Sequence, residues 1–258
     1  MTRIIAICNQ KGGVGKTTTA VNLSAALSMA ERRTLLIDAD PQGNATQGVG
    51  VTVGDEPTLY EALLEETPWT PEAASGYIMK TQLPFLDIVP ATHHLAGAEI
   101  ELVNCVSRET RLREFLKMIA QRYDYILIDA PPSLGLLTLN VLVGAKSVLI
   151  PIQCEYYALQ GLAELLNTIR LTQQSFNAEL QIEGALLTMH QSSTVLSKQV
   201  VEEVRNSFQE KVFHSVIPRT IKLAEAPSYG KPILLYDIAT PGAVAYMKLA
   251  QEIMGIKQ

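Results

Sequence analysis

Short apolar runs alternate with amphipathic segments along the chain. Ile4–Cys8, Thr34–Ile37, Leu86–Val89, Tyr125–Ile128, Ser147–Ile152, Ile182–Met189 and Val212–Ile217 have the length and character of strands. Several are almost continuously apolar, the pattern of parallel strands covered on both faces. Between them, helical spacing marks Thr17–Ala30, Arg108–Gln121, Leu159–Ser175, Val195–Gln209 and Ala243–Met254. Within the second of these, Leu112, Phe115, Leu116 and Ile119 interleave with Arg108, Glu109, Arg111 and Arg113, an apolar stripe beside a polar face. Strand–helix alternation predicts an α/β fold: a doubly wound, mostly parallel sheet with helices on both faces. No repeat, low-complexity tract or Pro/Gly/Ser-rich linker divides the chain, so residues 1–258 are expected to form a single domain.

The segment Pro41–Pro84 breaks the pattern, with Gly43, Gly48, Gly50, Gly54, Pro57, Pro68, Pro71 and Gly76. Short helices are expected around Leu59–Glu65 and Pro71–Ala74. Two readings stand: a long surface connection, or a switch and partner-contact region of the kind found beside sites in open α/β sheets.

Composition narrows the function classes. The 258 residues are 47% apolar and 18% charged, a soluble globular mixture. A net charge of −5 argues against a wholly basic nucleic-acid coat and leaves room for a local basic patch. Cys8, Cys105 and Cys154 are widely spaced with no CxxC pair, so neither a disulfide framework nor a zinc site is indicated. The apolar run after Arg3 is too short for a signal peptide, and Leu134–Ala145, interrupted by Thr138 and Asn140, is too short to span a membrane. A cytoplasmic protein is expected. His93-His94 has no acidic or cysteine partner at ligand spacing and reads as a loop pair. Trp69 and Tyr156-Tyr157 offer stacking surfaces, although burial or a partner contact is the commoner fate of such residues.

The sharpest chemical feature is Lys11-Gly12-Gly13-Val14-Gly15-Lys16-Thr17-Thr18, directly after the first strand and before a helix. Glycines let such a loop turn its N–H groups onto phosphate oxygens, and the helix start adds its positive dipole end. Lys16 then supplies a point charge to the outer phosphates and the Thr17 hydroxyl a ligand for Mg²⁺. The ordinary P-loop pattern is incomplete, since Gln10 stands where its first glycine belongs and a lysine follows at position 11. Two acids, Asp38 and Asp40, close the second strand, and Asp129 closes Tyr125–Ile128. Carboxylates at such strand ends face the ligand crevice of an open sheet, where Asp129 can hold Mg²⁺ opposite Thr17.

Lys11–Thr18, with Asn9-Gln10 ahead of it, is similar to the deviant Walker A loop of the ParA/MinD group of P-loop NTPases. The likeness continues through Asp38–Asn44, Ile128–Gly135, Pro151–Tyr156, Ala158–Gly161 and Glu225–Pro232, and resembles the short, chromosomal Soj-like type of ParA partition ATPase. That type lacks the N-terminal DNA-binding extension of the longer plasmid proteins. The resemblance implies slow, partner-stimulated hydrolysis of ATP with Mg²⁺ in an ATP-dependent homodimer. It gives Lys11 a role in trans on the neighbour's phosphates, comparable to an arginine finger. It places the attacking water at Asp40, the metal at Thr17 and Asp129 with Asp38 near its outer shell, and adenine at the loop Pro218-Arg219-Thr220. The implied partners are non-specific double-stranded DNA and a ParB-type centromere-binding protein, with no membrane and a nucleoid-associated location.

Two departures qualify the likeness. Thr220 replaces the family's usual asparagine, and His190–Ser197 lacks the aspartate and DNA-contacting arginine that relatives carry, Ser193 or a neighbour standing in the arginine's place. From residue 190 onward the chain nevertheless holds eight cations against six acids. Arg219 and Lys222, followed by Lys198 and Lys248, are the candidate DNA contacts. A MinD-like membrane-bound regulator would need a basic amphipathic tail, whereas Tyr246–Gln258 reads as a core-packing helix. A redox role like that of the nitrogenase iron protein would need paired cluster cysteines. A partner-regulating ATPase without strong DNA binding remains the alternative.

Overall fold

A computed structural model describes residues 2–155 and 162–256. Tyr156-Tyr157, the Ala158–Gly161 motif and Lys257 lie outside these residues. The chain runs β1 (Arg3–Ile7), α1 (Lys16–Met29), β2 (Thr34–Asp38), α2 (Asn44–Gly48), α3 (Leu59–Leu64), α4 (Pro71–Ser75), β3 (Met79–Lys80), β4 (Leu86–Val89) and α5 (Leu95–Glu101). It continues through α6 (Arg111–Ile119), β5 (Tyr125–Asp129), α7 (Leu136–Gly144), β6 (Ser147–Gln153), α8 (Leu162–Ser175), β7 (Gln181–Thr188) and α9 (Val195–Phe208). The last elements are α10 (Ile221–Glu225), α11 (Ile233–Tyr236) and α12 (Pro241–Ile253).

The strands form a seven-stranded sheet in the order β3-β4-β2-β5-β1-β6-β7, parallel except at β3. Period-two alternation splits β1 between two cores. Ile4 and Ala6 join the cluster under α3, α5, α6, α7, α8 and α9, while Ile5 and Ile7 join the one under α1, α2, α10, α11 and α12. The doubly wound, mostly parallel sheet is therefore as expected. With β1 central and the chain leaving it toward β2 but leaving β6 toward β7, a crevice opens beyond its C-terminal end.

The apolar run Leu134–Ala145 becomes α7, a helix buried nearly all round. Its polar interruptions are satisfied there: Asn140 Nδ2 donates to the Arg108 carbonyl at 2.7 Å, Asn140 Oδ1 accepts from the Leu112 N–H at 3.2 Å, and Thr138 Oγ1 donates to the Ser133 carbonyl. The tail helix α12 buries Tyr246, Leu249, Ala250 and Ile253 against the core, the packing its sequence suggested. No described helix is long and apolar enough to cross a membrane.

One expected strand is absent. Val212–Ile217 touches β7 through the Phe213 and Ile217 N–H groups but forms no ladder. The N–H groups of His214 and Ser215 turn instead to the carboxylate of Glu252 on α12, at 2.8 and 2.6 Å. A side chain has taken the donors that a strand needs. Conversely, the two-residue edge strand β3 carries too little pattern to predict. It pairs antiparallel to β4 and sets Lys80 against Asp87 at 2.8 Å, a short charged edge that discourages further pairing.

Trp69 and Tyr77 from the irregular segment lie edge-on to Phe115 of α6, with ring centroids 5.1 and 5.9 Å away. Phe115 is fully buried, so Phe115→Ala should lower the unfolding free energy by about 3–5 kcal/mol. Urea denaturation checks this, and a loss of less than about 1 kcal/mol would show that the aromatic cluster adds little to the core.

Candidate functional site

The loop after β1 delivers Lys16 to the first position of α1. Gly13 and Gly15 adopt φ of +75° and +87°, angles that side chains resist, and a Cβ at Gly12 or Gly13 would meet nothing within 4 Å. The crest of the loop is therefore open. No side chain caps the first turn of α1 and no acid stands in it, which leaves its N–H groups and positive end available to an anion. Lys11 and Thr18 are partly exposed, whereas Val14 is buried.

Neighbouring strands hold the loop at both ends. The buried Asn9 donates through Nδ2 to the Pro151 carbonyl of β6 at 2.7 Å, and its Oδ1 accepts the Lys11 N–H at 3.0 Å. Thr188 at the end of β7 donates through Oγ1 to the Val14 carbonyl at 2.8 Å. The sequence pattern gave Thr188 no role beyond ending a strand. Only the sheet order, which sets β6 beside β1 and β7 beside β6, exposes it.

Lys16 is buried, and its Nζ donates to the Lys11 carbonyl at 3.3 Å. Burial pulls its ammonium pKa down, while the charges of Asp129, Cys8 and Asp40 oppose the fall. The Cys8 thiol is pushed up to about 12, chiefly by burial, so it stays protonated and is no nucleophile.

Strand register brings the carboxylates together. Asp38 of β2 lies opposite Asp129 of β5, and Ile7 of β1 opposite Asp129 on its other side. Asp38 is internally engaged: Oδ1 accepts the Asp40 N–H at 3.2 Å, and Oδ2 accepts both the N–H and the hydroxyl of Thr46 at 2.8 Å. Burial still raises its pKa to about 6 despite these bonds. Asp40 is also buried, with Oδ1 accepting the Gln42 N–H at 2.9 Å.

Asp129 differs. It is fully buried, and neither carboxylate oxygen has a hydrogen-bond partner among the described residues. Burial raises its pKa well above the usual carboxylate range; Asp38 adds to the rise, and Thr17 and Lys16 oppose it. Such an orphaned carboxylate beside a hydroxyl suits a hard divalent cation. Among the described residues no group of three or more His, Cys, Asp or Glu could hold a metal ion. A cation here would need phosphate oxygens and water to fill its shell.

A mostly apolar cleft of about 550 Å³ runs from Gly15 and Thr18 to Pro218, Arg219 and Thr220, bordered also by Met189 and Tyr246. The loop 218–220 named from the sequence thus adjoins the glycine loop. Thr220 caps α10 by accepting the Leu223 N–H at 3.3 Å, a task that suits threonine. Met189 holds φ +52°, an unusual angle for a residue with a side chain.

The basic candidates are dispersed. Arg219 pairs with Glu155 at 3.6 Å and Lys222 with Glu225 at 3.1 Å. Lys198 and Lys248 are exposed and lie on α9 and α12, which pack on opposite faces of the sheet. The larger cavity, about 840 Å³, is at the other end of the sheet, beside Arg3, Arg113 and Lys146. Those three donate to the carbonyls of Ile253, Phe176 and Thr2, so two of them complement helix C-termini instead of marking a ligand. His93 and His94 adjoin at the start of α5, 4.3 Å between ring centroids.

If burial without a partner is the dominant cost at Asp129, Asp129→Asn should stabilise the nucleotide-free protein at pH 7, raising Tm on the order of 2–4 °C. A carboxyl whose folded pKa is raised destabilises above its ordinary pKa of 3.8. The gain should therefore shrink as pH falls toward 4. Thermal melts at both pH values decide it, and a variant less stable at pH 7 would contradict the assignment.

Residues 2–182 match a family model described as an AAA domain. The chain is 55% identical over 253 residues to the chromosome partitioning protein ParA of Myxococcus xanthus, covering 98% of this chain and 88% of that one. It is 54% identical over 254 residues to the sporulation initiation inhibitor protein Soj of Bacillus subtilis, covering 98% of each. Among solved structures it is similar to cobyrinic acid a,c-diamide synthase from Mycobacterium smegmatis with bound ATP analog and magnesium: TM-score 0.84, 37% identity, 98% of this chain and 95% of that one. With a glycine loop, its lysines and paired strand-end carboxylates in one crevice, and relatives of this identity along nearly its whole length, the chain belongs to the ParA/Soj family of chromosome-partitioning ATPases.

Proposed function

We propose that the chain works as a single-domain, ATP- and Mg²⁺-dependent switch for DNA segregation. ATP binding makes a homodimer that holds double-stranded DNA non-specifically, and hydrolysis stimulated by a ParB-type partner releases it, at the nucleoid in the cytoplasm. The observation that carries the nucleotide half is the buried, unpartnered Asp129 carboxylate beside Thr17 and Lys16, in front of an uncapped helix start. Bound Mg²⁺ would supply charge neutralisation of the phosphates, held by Thr17 and Asp129 with Asp38 in its outer shell.

The remaining work belongs to the protein. N–H groups of Gly12, Gly13, Val14, Gly15, Lys16, Thr17 and Thr18 cradle phosphate oxygens, and Lys16 exchanges its bond to the Lys11 carbonyl for the outer phosphates. Lys11, on a backbone fixed by Asn9, reaches the neighbour's phosphates and offsets charge in the transition state. Asp40, its carboxylate oriented by the Gln42 N–H, positions the attacking water. Pro218 and Thr220 present backbone to the adenine in the adjoining cleft.

DNA binding is assigned to Arg219 and Lys222, then Lys198 and Lys248. Both leading candidates already hold carboxylate partners, and Ser193 replaces a cation, so each contact is weak and strongly salt-dependent. The same observations favour the second reading, an ATPase that regulates a protein partner without strong DNA binding.

Two variants test the ATPase cycle. Lys16→Ala should abolish ATP-dependent dimerisation in sedimentation, and an undiminished ATP dimer would remove Lys16 from the phosphate site. Asp40→Ala should keep the ATP dimer and cut turnover by roughly 100-fold or more; normal hydrolysis by this variant would exclude the water-positioning role. Duplex DNA binding with ATP, ADP or no nucleotide, titrated with salt, separates the two functional readings. ATP-specific binding that weakens steeply with salt supports segregation, while a well-formed ATP dimer that ignores DNA supports the partner regulator.

A further inference from the structure

The end of β7 links the glycine loop to the segment that follows the strand. Thr188 Oγ1 donates to the Val14 carbonyl inside the glycine loop, and its methyl lies 3.8 Å from where a Cβ on Gly15 would stand. The Thr188 carbonyl accepts the Cys154 N–H at 3.0 Å, and the Cys154 carbonyl in turn accepts the Ser197 hydroxyl in the first turn of α9. Beyond Thr188 the backbone turns through the left-handed Met189 to His190, whose N–H and carbonyl pair with Ile217 and Arg219. Thr188 is buried and 174 residues from Val14, so the contact exists only because the sheet sets the two ends together.

We propose that Thr188 is a positioning residue for nucleotide binding, and that it ties the state of the glycine loop to the segment 189–198, which carries Lys198 and bonds the Arg219 backbone through His190. Holding the Val14 carbonyl on the Thr188 hydroxyl fixes the peptide orientation of the loop, and with it the neighbouring N–H groups that would meet phosphate. A nucleotide that draws in those N–H groups thereby loads the Thr188 bond, and the load passes along the rigid strand end to Met189 and to Ser197. This inference rests on the nucleotide-site reading above and is independent of whether DNA is the partner.

Thr188→Val keeps the branched volume and the methyl against Gly15 but leaves the Val14 carbonyl without its donor. It should raise the KM for ATP about fivefold, equal to about 1 kcal/mol, with kcat changed less than twofold. Hydrogen exchange should also lose the protection that ATP confers on amides 189–198. Thr188→Ser restores the hydroxyl and should bring both measures to within twofold of the parent chain. A KM for Thr188→Val within twofold of the parent overturns the proposal, as does a well-folded Thr188→Ser with KM raised as much as Val. ATP protection of 189–198 that persists in Thr188→Val overturns the coupling. A parent chain that binds no nucleotide sinks the functional reading first, and this one with it.

Discussion

The site is organised around a fully buried carboxylate with no hydrogen-bond partner among the described residues, a costly arrangement for a charged group. Asp129 sits where β5 ends, one strand from β1 and in register with Asp38 of β2. Burial raises the pKa of both acids; the Asp38 charge adds to the rise at Asp129, where Thr17 and Lys16 oppose it, and the Asp40 charge adds to the rise at Asp38. Such strain survives in a native structure only where the surroundings over-determine it. Here they do, because each participant is fixed by parallel strand ends and a helix start instead of a mobile loop.

The two acids of β2 divide their duties. Asp38 is held on both oxygens, and Thr46 relays the hold, its hydroxyl accepting the Ala91 N–H at 3.0 Å. That network fixes α2 and the start of the irregular segment. At the other end of the same short helix, Gly50 meets Gly230 so closely that a Cβ on Gly50 would lie 2.6 Å from the Gly230 carbonyl oxygen. The motif Glu225–Pro232 therefore owes part of its character to packing: Gly230 is needed for this approach, and Asn22 Oδ1 accepts the Ile233 N–H just beyond it at 2.6 Å. The carboxylate cluster, α1 and the segment after α10 are thus parts of one contiguous structure.

The same fold hosts proteins named for different chemistry, including a synthase 37% identical to this chain. What distinguishes them must lie in side chains around the crevice, since fold alone does not specify reaction. In this chain the distinguishing surface is thinly basic. Arg219 and Lys222 are already engaged, and Lys198 and Lys248 sit on different faces.

Most of the fold was legible in the sequence, because burial on both faces writes a strand such as Tyr125–Asp129 as an unbroken apolar run and helical spacing writes α6 as a stripe. The glycine loop, Lys16, Thr17 and the three aspartates were legible too, since their chemistry depends on residue type and local order. Val212–Ile217 misled because its apolar pattern is that of a strand while its donors go to Glu252, nearly 40 residues away. Thr188 was invisible for the same reason: its hydroxyl matters only through Val14, a contact with no local trace. The sequence by itself determined the elements and the chemistry at their ends. The tertiary structure alone decided which carboxylate is left unpaired, which cations are already paired and what anchors the loop. Those outcomes depend on strand order and register, which join residues far apart in the chain through hydrogen bonds and electrostatics that no local pattern records.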